Sequence, residues 1–268
     1  MELSISGHPA FAYTGGKALD RAAPAIVFVH GAQQDHSCWT LQSRWFAHHG
    51  HAVLAPDLPG HGRSGGTPLP SVEAIADWIA ALLDAAGIER AVLVGHSMGS
   101  LTALEAAARH PDRVAGLALI GTSVPMPVSE ALLAAATAND EAKAIAMING
   151  WSHSQRGLMG GNTVPGMWML GANQRLMERQ RPGVIGIDLA ACNAYANGVA
   201  AAAAVAATRC PTLIVAGSRD LMTPTRNTKA LAGMLPHAKV VTLPGAGHAM
   251  MAEQPDALLD ALIAFAHG

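Results

Sequence analysis

The sequence predicts an α/β fold built on a mostly parallel, doubly wound sheet, and three observations predict it. Short β-rich runs alternate along the chain with stretches of helical periodicity. Most of those runs are continuously apolar, as in Ala25–Val29 and Val114–Ile120, which requires burial on both sheet faces. The residues able to carry chemistry fall just after such runs, where open α/β sheets place their sites.

Taken in order, Leu3–Ile5 and Phe11–Tyr13 alternate weakly around His8-Pro9 and read as an opening hairpin. Ala25–Val29 ends at the turn His30-Gly31-Ala32, and Trp39–His49 reads as a helix closed by Gly50. Ala52–Ala55 is the next buried strand, followed by a glycine-rich loop from Pro56 to Gly66. Ser71 has the character of an N-cap. Val72, Ile75, Ile79, Leu82 and Leu83 recur behind it at helical spacing, and Gly87 ends the element. Ala91–Val94, Val114–Ile120, Thr212–Ala216 and Lys239–Leu243 bring the strands to eight, all but the first two read as buried. A helix around Thr225–Leu235 and a last one over Pro255–Ala266 complete the pattern.

The rhythm breaks between Ser123 and Ala207, where no strand-like run occurs. Helices are expected over Ser129–Thr137, Glu141–Trp151, Met167–Gln180 and Ile185–Ala196. The expected organisation is therefore a core of residues 1–122 and 208–268 carrying a helical lid, 123–207. That segment holds Met126, Met147, Met159, Met167, Met169, Met177, Trp151 and Trp168. Flexible, polarisable methionines suit an adaptable apolar pocket, but packing of lid on body uses the same side chains.

Composition narrows the function classes. Half the residues are hydrophobic and only 13% charged, with a formal net charge of −2 and no run of like charges. Such a chain builds a large core and offers no electrostatic footprint for nucleic acid or an anionic membrane surface. Cys38, Cys192 and Cys210 lie far apart without zinc spacing, which suggests a reducing compartment. With no basic, apolar leader and no apolar stretch near the roughly 20 residues of a membrane span, the expected location is cytoplasmic. His48, His49 and His51 cluster without supporting carboxylates, so no metal site is expected there.

The chemistry centres on Gly95-His96-Ser97-Met98-Gly99, a G-x-S-x-G pattern between an apolar run and a helix. A serine on so sharp a turn takes a strained backbone, and the residues two positions to either side must be small. The following helix aims free N–H groups and its positive dipole end at the same point. A serine hydroxyl becomes a nucleophile when a base takes its proton, and the base needs an orienting carboxylate. Asp220 lies in the loop after Thr212–Ala216, and His248 in a glycine-rich loop after Lys239–Leu243. Asp112 and Asp188 compete for the carboxylate role, but one precedes a strand and the other lies in the lid. The N–H groups of Met98 and Ala32 are the candidate oxyanion donors.

Together these stretches resemble the serine α/β-hydrolase superfamily, in its small, lidded, esterase-like branch. The resemblance is carried by HGAQQDHSCW from His30, PDLPGHGRS from Pro56, GHSMGS from Gly95, GSRDLMTP from Gly217 and GAGHAMMAEQP from Gly245. It implies the α/β-hydrolase fold, no metal or organic cofactor, and a covalent acyl-enzyme on Ser97 served by His248 and Asp220. The lid matches no pattern, so the substrate stays open: a small carboxylic ester leads. Acyl transfer, carbon–carbon hydrolysis, perhydrolysis and a non-catalytic small-molecule receptor are the alternatives. Gln33, Trp39, Leu221 and Met250 are possible substrate contacts, with Gln33 equally suited to bracing the oxyanion turn. His30, His36 and His61 read as structural or pocket-lining, and Asp57 and Ser64 as turn supports. The expected partner is a small ester-like molecule, and the expected state a monomer or small homo-oligomer.

Overall fold

A computed structural model describes residues 1–138, 140–161, 166 and 168–267 of the chain. In chain order the elements are β1 (Glu2–Ile5), β2 (His8–Tyr13), β3 (Ala25–Val29), α1 (Thr40–His48), β4 (Ala52–Pro56), α2 (Val72–Ala86), β5 (Ala91–His96), α3 (Met98–Arg109) and β6 (Val114–Ile120). Then follow α4 (Glu130–Thr137), α5 (Glu141–Ser152), α6 (Gln155–Leu158), α7 (Met169–Glu178), α8 (Val184–Ala194) and α9 (Gly198–Thr208). The chain closes with β7 (Thr212–Gly217), α10 (Thr225–Met234), β8 (Lys239–Leu243), α11 (Met250–Glu253) and α12 (Pro255–Ala266).

The eight strands form one sheet in the order β1-β2-β4-β3-β5-β6-β7-β8. β1 and β2 pair antiparallel, β2 meets β4 antiparallel, and every other pairing is parallel. From β3 the chain steps to β4 on one side and then to β5 on the other. The order therefore reverses at the β3/β5 pair, opening a crevice beyond their C-terminal ends.

The continuous apolar runs are explained by two cores, one on each face. Val27, Val29, Leu93, Leu117 and Leu119 face the helices α2 and α3. Their sequence neighbours Ile26, Phe28, Val94, Ala118 and Ile120 pack on the other side with Trp39, Phe46, Leu258 and Leu262. Each fully buried side chain of this size contributes about 1.5–3 kcal/mol relative to exposure. α2 begins and ends as its sequence predicts: Ser71 Oγ accepts from Ala74 N–H at 3.2 Å, and Gly87 closes it at φ 68°. β8 departs from expectation. It is an edge strand with only β7 beside it, and Val240 is 48% exposed.

Between β6 and β7 the inserted segment has a small core of its own, in which Leu132 (α4), Ile145 (α5), Met177 (α7) and Leu189 (α8) meet. α4 and α5 are capped by Ser129 and Asp140, whose side chains accept from Leu132 and Lys143 N–H. Two helices in this stretch, α6 and α9, are not expected from the sequence. α9 is alanine-rich, so it shows no amphipathic stripe, yet Ala201, Ala202 and Val205 join the core cluster of α3. Residues 198–208 thus pack with the main body, while residues of α4, α5, α7 and α8 line a cavity with the turn that follows β5. At its end Tyr195 Oη donates to Glu105 at 2.6 Å and Asn197 Nδ2 donates to the same carboxylate, tying the segment to α3. Met167 lies outside the described residues. Met159 and Trp168 are exposed on the surface, while Met177 is buried. Among the described residues no single helix is long and apolar enough to cross a membrane.

Candidate active site

Ser97 sits between β5 and α3 with φ 53° and ψ −120°, in the region that disfavours any side chain. Its neighbours make that turn possible. A Cβ on Gly95 would lie 2.1 Å from the carbonyl oxygen of Gly99, and one on Gly99 would lie 2.3 Å from that of Val29. The turn is held by Ser97 N–H donating to Ile120 O at 3.0 Å, and by Ser100 N–H donating to Ser97 O at 2.8 Å. Met98 opens α3, whose first-turn N–H groups have no partner within the helix, and Ala32 stands just after β3 on the wall of the same cavity as Ser97.

Asp220 follows β7, and its carboxylate is saturated with donors. Oδ1 accepts from Met222 N–H and Thr223 N–H, each at 2.8 Å. Oδ2 accepts from Thr223 Oγ1 at 2.7 Å and from His248 Nδ1 at 2.8 Å. Burial opposes ionisation of Asp220, but the adjacent His248 and these hydrogen bonds outweigh it and hold the carboxyl below its ordinary value. With Nδ1–H committed to Asp220, the other nitrogen of His248 is the basic one. Nε2 is buried and has no hydrogen-bond partner among the described residues. Ser97, half-buried, shares a cavity wall with it. The structure therefore joins Asp220 to His248 and brings Ser97 and His248 to one cavity, without a serine–histidine hydrogen bond. Such contacts often close only when substrate binds.

Residues without a sequence signal hold the His248 loop. His96 Nε2 donates to His248 O at 2.9 Å, and burial pushes the His96 ring down to about 3, so it is neutral. Glu253 accepts from Gly247 N–H at 3.0 Å and from Ser154 N–H and Oγ, and Ala249 N–H donates to Ser152 O at 2.8 Å. The histidine loop is thus fastened to the inserted segment as well as to the sheet. Gly121, at φ 58°, leaves room for the ring, since a Cβ there would lie 2.9 Å from His248 Cε1.

The cavity has a volume of about 410 Å³. Ser97, His248 and Ala32 lie at its sheet side, and apolar side chains of the insertion, including Leu132, Ile148 and Leu189, form the opposite wall.

Residues 26–261 match the model of the alpha/beta hydrolase family. A pimeloyl-[acyl-carrier protein] methyl ester esterase of Aromatoleum aromaticum is 30% identical over 257 residues, covering 87% of this chain and 94% of that protein. This chain belongs to the α/β hydrolase family. Two shorter matches have higher identity: 38% over 107 residues to a protein of Mycobacterium phage D29 named a non-heme haloperoxidase, and 40% over 111 residues to an epoxide hydrolase of Caballeronia sordidicola. They span 38% and 32% of those relatives, so each shares only about a third of its length with this chain. In three dimensions the enol-lactonase from Burkholderia xenovorans LB400 superposes with a TM-score of 0.86 at 23% identity, each chain fully covered. That likeness establishes the fold.

Three of the four proposed substrate contacts are elsewhere in this α/β hydrolase. Trp39 is fully buried beneath the sheet against Phe28, ring centroids 5.4 Å apart, and does not reach the cavity. Met250 is buried in the same core under the histidine loop. Gln33 is buried and turned to the insertion, its Nε2 donating to Met177 O at 3.1 Å. Leu221, 66% exposed, does line the cavity, and so does Gln34 beside Gln33. Of the histidines, His30 is buried and neutral, pushed down to about 4 by burial, with Nε2 accepting from Leu58 N–H. Asp35, His36 and Asp57 cluster closely enough to suggest a metal. Their oxygens are already taken: Arg179 and Gln180 donate to Asp35, and His36 and Arg63 N–H to Asp57. The Arg179 guanidinium already supplies positive charge at Asp35.

Proposed function

We propose that this chain hydrolyses a small carboxylic ester through an acyl-enzyme on Ser97. The observation that carries the reading is the buried, unpartnered Nε2 of His248, oriented by Asp220, on the same cavity as a serine held in a strained turn. Nε2 takes the Ser97 proton as Oγ attacks the ester carbonyl. Asp220 stabilises the resulting imidazolium, and the N–H groups of Ala32 and Met98 receive the oxyanion. His248 then gives its proton to the departing alcohol, and a water activated at the same nitrogen releases the acid. Helices α4 to α8 act as the lid that keeps the reacting centre apolar. Relatives named as esterases support the ester class, and serine rather than aspartate at position 97 disfavours epoxide opening.

Brief exposure to a fluorophosphonate, read by intact-protein mass and peptide mapping, tests the nucleophile. The expected result is a single adduct on Ser97 together with turnover of short p-nitrophenyl esters. An adduct without ester turnover would instead favour acyl transfer, carbon–carbon cleavage or a receptor. No adduct would remove the serine from the mechanism.

The size of the substrate is set at one wall. A second cavity of about 410 Å³ shares Gln34, Asn173 and Ala249 with the first, and Gln34 Nε2 donates to Asn173 Oδ1 across a long 3.4 Å. A contact that long is weak. Asn173→Ala should therefore raise kcat/KM for a decanoate ester about tenfold relative to acetate, since added methylenes gain apolar surroundings. An unchanged chain-length profile would place the limit elsewhere.

A further inference from the structure

The oxyanion turn is held from the inserted segment. Gln33, next to Ala32, has φ 57°, which costs a non-glycine residue about 1 kcal/mol or more. It is kept there by Asp188 of α8, whose Oδ2 accepts from Gln33 N–H at 2.8 Å across 155 positions of sequence. The same Oδ2 faces His61 Nε2 at 2.9 Å, while His61 Nδ1 faces Pro59 O at 3.0 Å. The Pro59 carbonyl can only accept, so Nδ1 carries a proton; with Asp188 as the carboxylate, which also accepts from Gln33 N–H at this oxygen, Nε2 carries the second. Gln33, His61 and Asp188 are each 1% exposed.

We propose that Asp188 and an imidazolium at His61 are positioning residues that fix the oxyanion turn, so that the lid must be docked for the Ala32 N–H to be aimed. This rests on the ester-hydrolase reading above. The surroundings of His61 agree with a buried cation. Burial alone would strip the proton, but the charge and hydrogen bond of Asp188 outweigh it, with help from Pro59 O and Asp57, and raise the ring above its ordinary value. Asp57 is itself satisfied by His36 and Arg63 N–H. The other ring nearby, His30 at 4.9 Å, is neutral and adds no opposing charge. The sign follows from the raised value. The latch is whole at pH below the folded-state value of His61, and it loses one hydrogen bond and its ion pair as pH rises through that value.

Two measurements on the full chain test this. Long-range nitrogen–proton NMR, with His61→Gln for assignment, should show both His61 nitrogens protonated at pH 6.5. A bare nitrogen at that pH overturns the proposal. In kinetics with one p-nitrophenyl ester, Asp188→Asn should lower kcat about tenfold with KM changed less than threefold, because a misplaced oxyanion donor acts on the transition state. His61→Gln, whose amide still donates to Asp188 but does not titrate, should retain more of kcat than His61→Ala and lose the alkaline fall expected of the native protein. Wild-type kcat in Asp188→Asn and an unchanged alkaline limb in His61→Gln would sink the latch while Ser97 still takes the fluorophosphonate. If native protein takes no adduct, the ester-hydrolase reading fails instead, and the NMR result reports on His61 independently. Should Asp188→Asn fail to fold, His61→Gln and the native spectrum still decide.

Discussion

Ser97→Ala is expected to lower ester turnover about 10⁴-fold or more, leaving only what binding and the oxyanion donors supply. His248→Ala should cost as much, since either change stops proton removal from the nucleophile. Asp220→Asn should cost somewhat less. An asparagine can still accept from His248 Nδ1–H, but it no longer stabilises the imidazolium, and it disrupts the donors from Met222 and Thr223. The strain at position 97 supplies a second readout. With φ 53° and ψ −120°, the serine is in a conformation that glycine adopts freely. Ser97→Gly should therefore be as inactive as Ser97→Ala yet more stable by about 1 kcal/mol, measured by chemical denaturation. An inactive but stabilised glycine variant is the signature of a site that holds its nucleophile against the backbone's preference. If Ser97→Ala kept native turnover, the mechanism would be wrong at its first step.

Much of this arrangement is legible in the sequence because the informative residues sit next to local signals. Ser97, Asp220 and His248 each follow an apolar run and lie among glycines or turn residues, and β-strand placement alone brings them to one end of the sheet. What is illegible depends on contacts distant in sequence. Asp188 looks like an ordinary polar residue on a lid helix, and only the fold brings it within 2.8 Å of Gln33 N–H. Glu253 has no local signature for its hold on Gly247 and Ser154. As substrate contacts, Trp39, Met250 and Gln33 show the converse error, although Gln33 does stand in the turn after Ala32, its other expected place. Each is a near neighbour of a chemical motif, but closeness along the chain does not say which way a side chain turns, and all three turn from the cavity. α9 was hidden because alanine on every face gives no periodic stripe. Its role appears only when Ala201 and Ala202 let it approach α3.

Gly99→Ala should disrupt the site by clashing with a neighbouring strand, whereas the equally tight Gly95 meets the backbone of its own turn. The added Cβ would stand 2.3 Å from Val29 O, 2.6 Å from His30 O and 2.8 Å from Val29 C. These are backbone atoms at the end of β3, which is paired on both sides by β4 and β5 and has no freedom to retreat. α3 must then shift outward, and that moves Met98 N–H and the Ala32 turn apart together. Overpacking of this kind costs about 3 kcal/mol. The expected result is a clear fall in melting temperature together with a loss of turnover beyond what destabilisation explains, because the folded fraction itself has a misshapen oxyanion site. Gly233→Ala provides the control: this exposed glycine in α10 has nothing within 4 Å of an added Cβ, and helix propensity alone should stabilise by about 0.5–1 kcal/mol. If Gly99→Ala instead matched Gly233→Ala in melting temperature, the close approach of α3 to β3 would not be what shapes the Ser97 turn. Both glycines are helical, Gly99 in the first turn of α3 and Gly233 in the last turn of α10, so the comparison sets contact against backbone entropy.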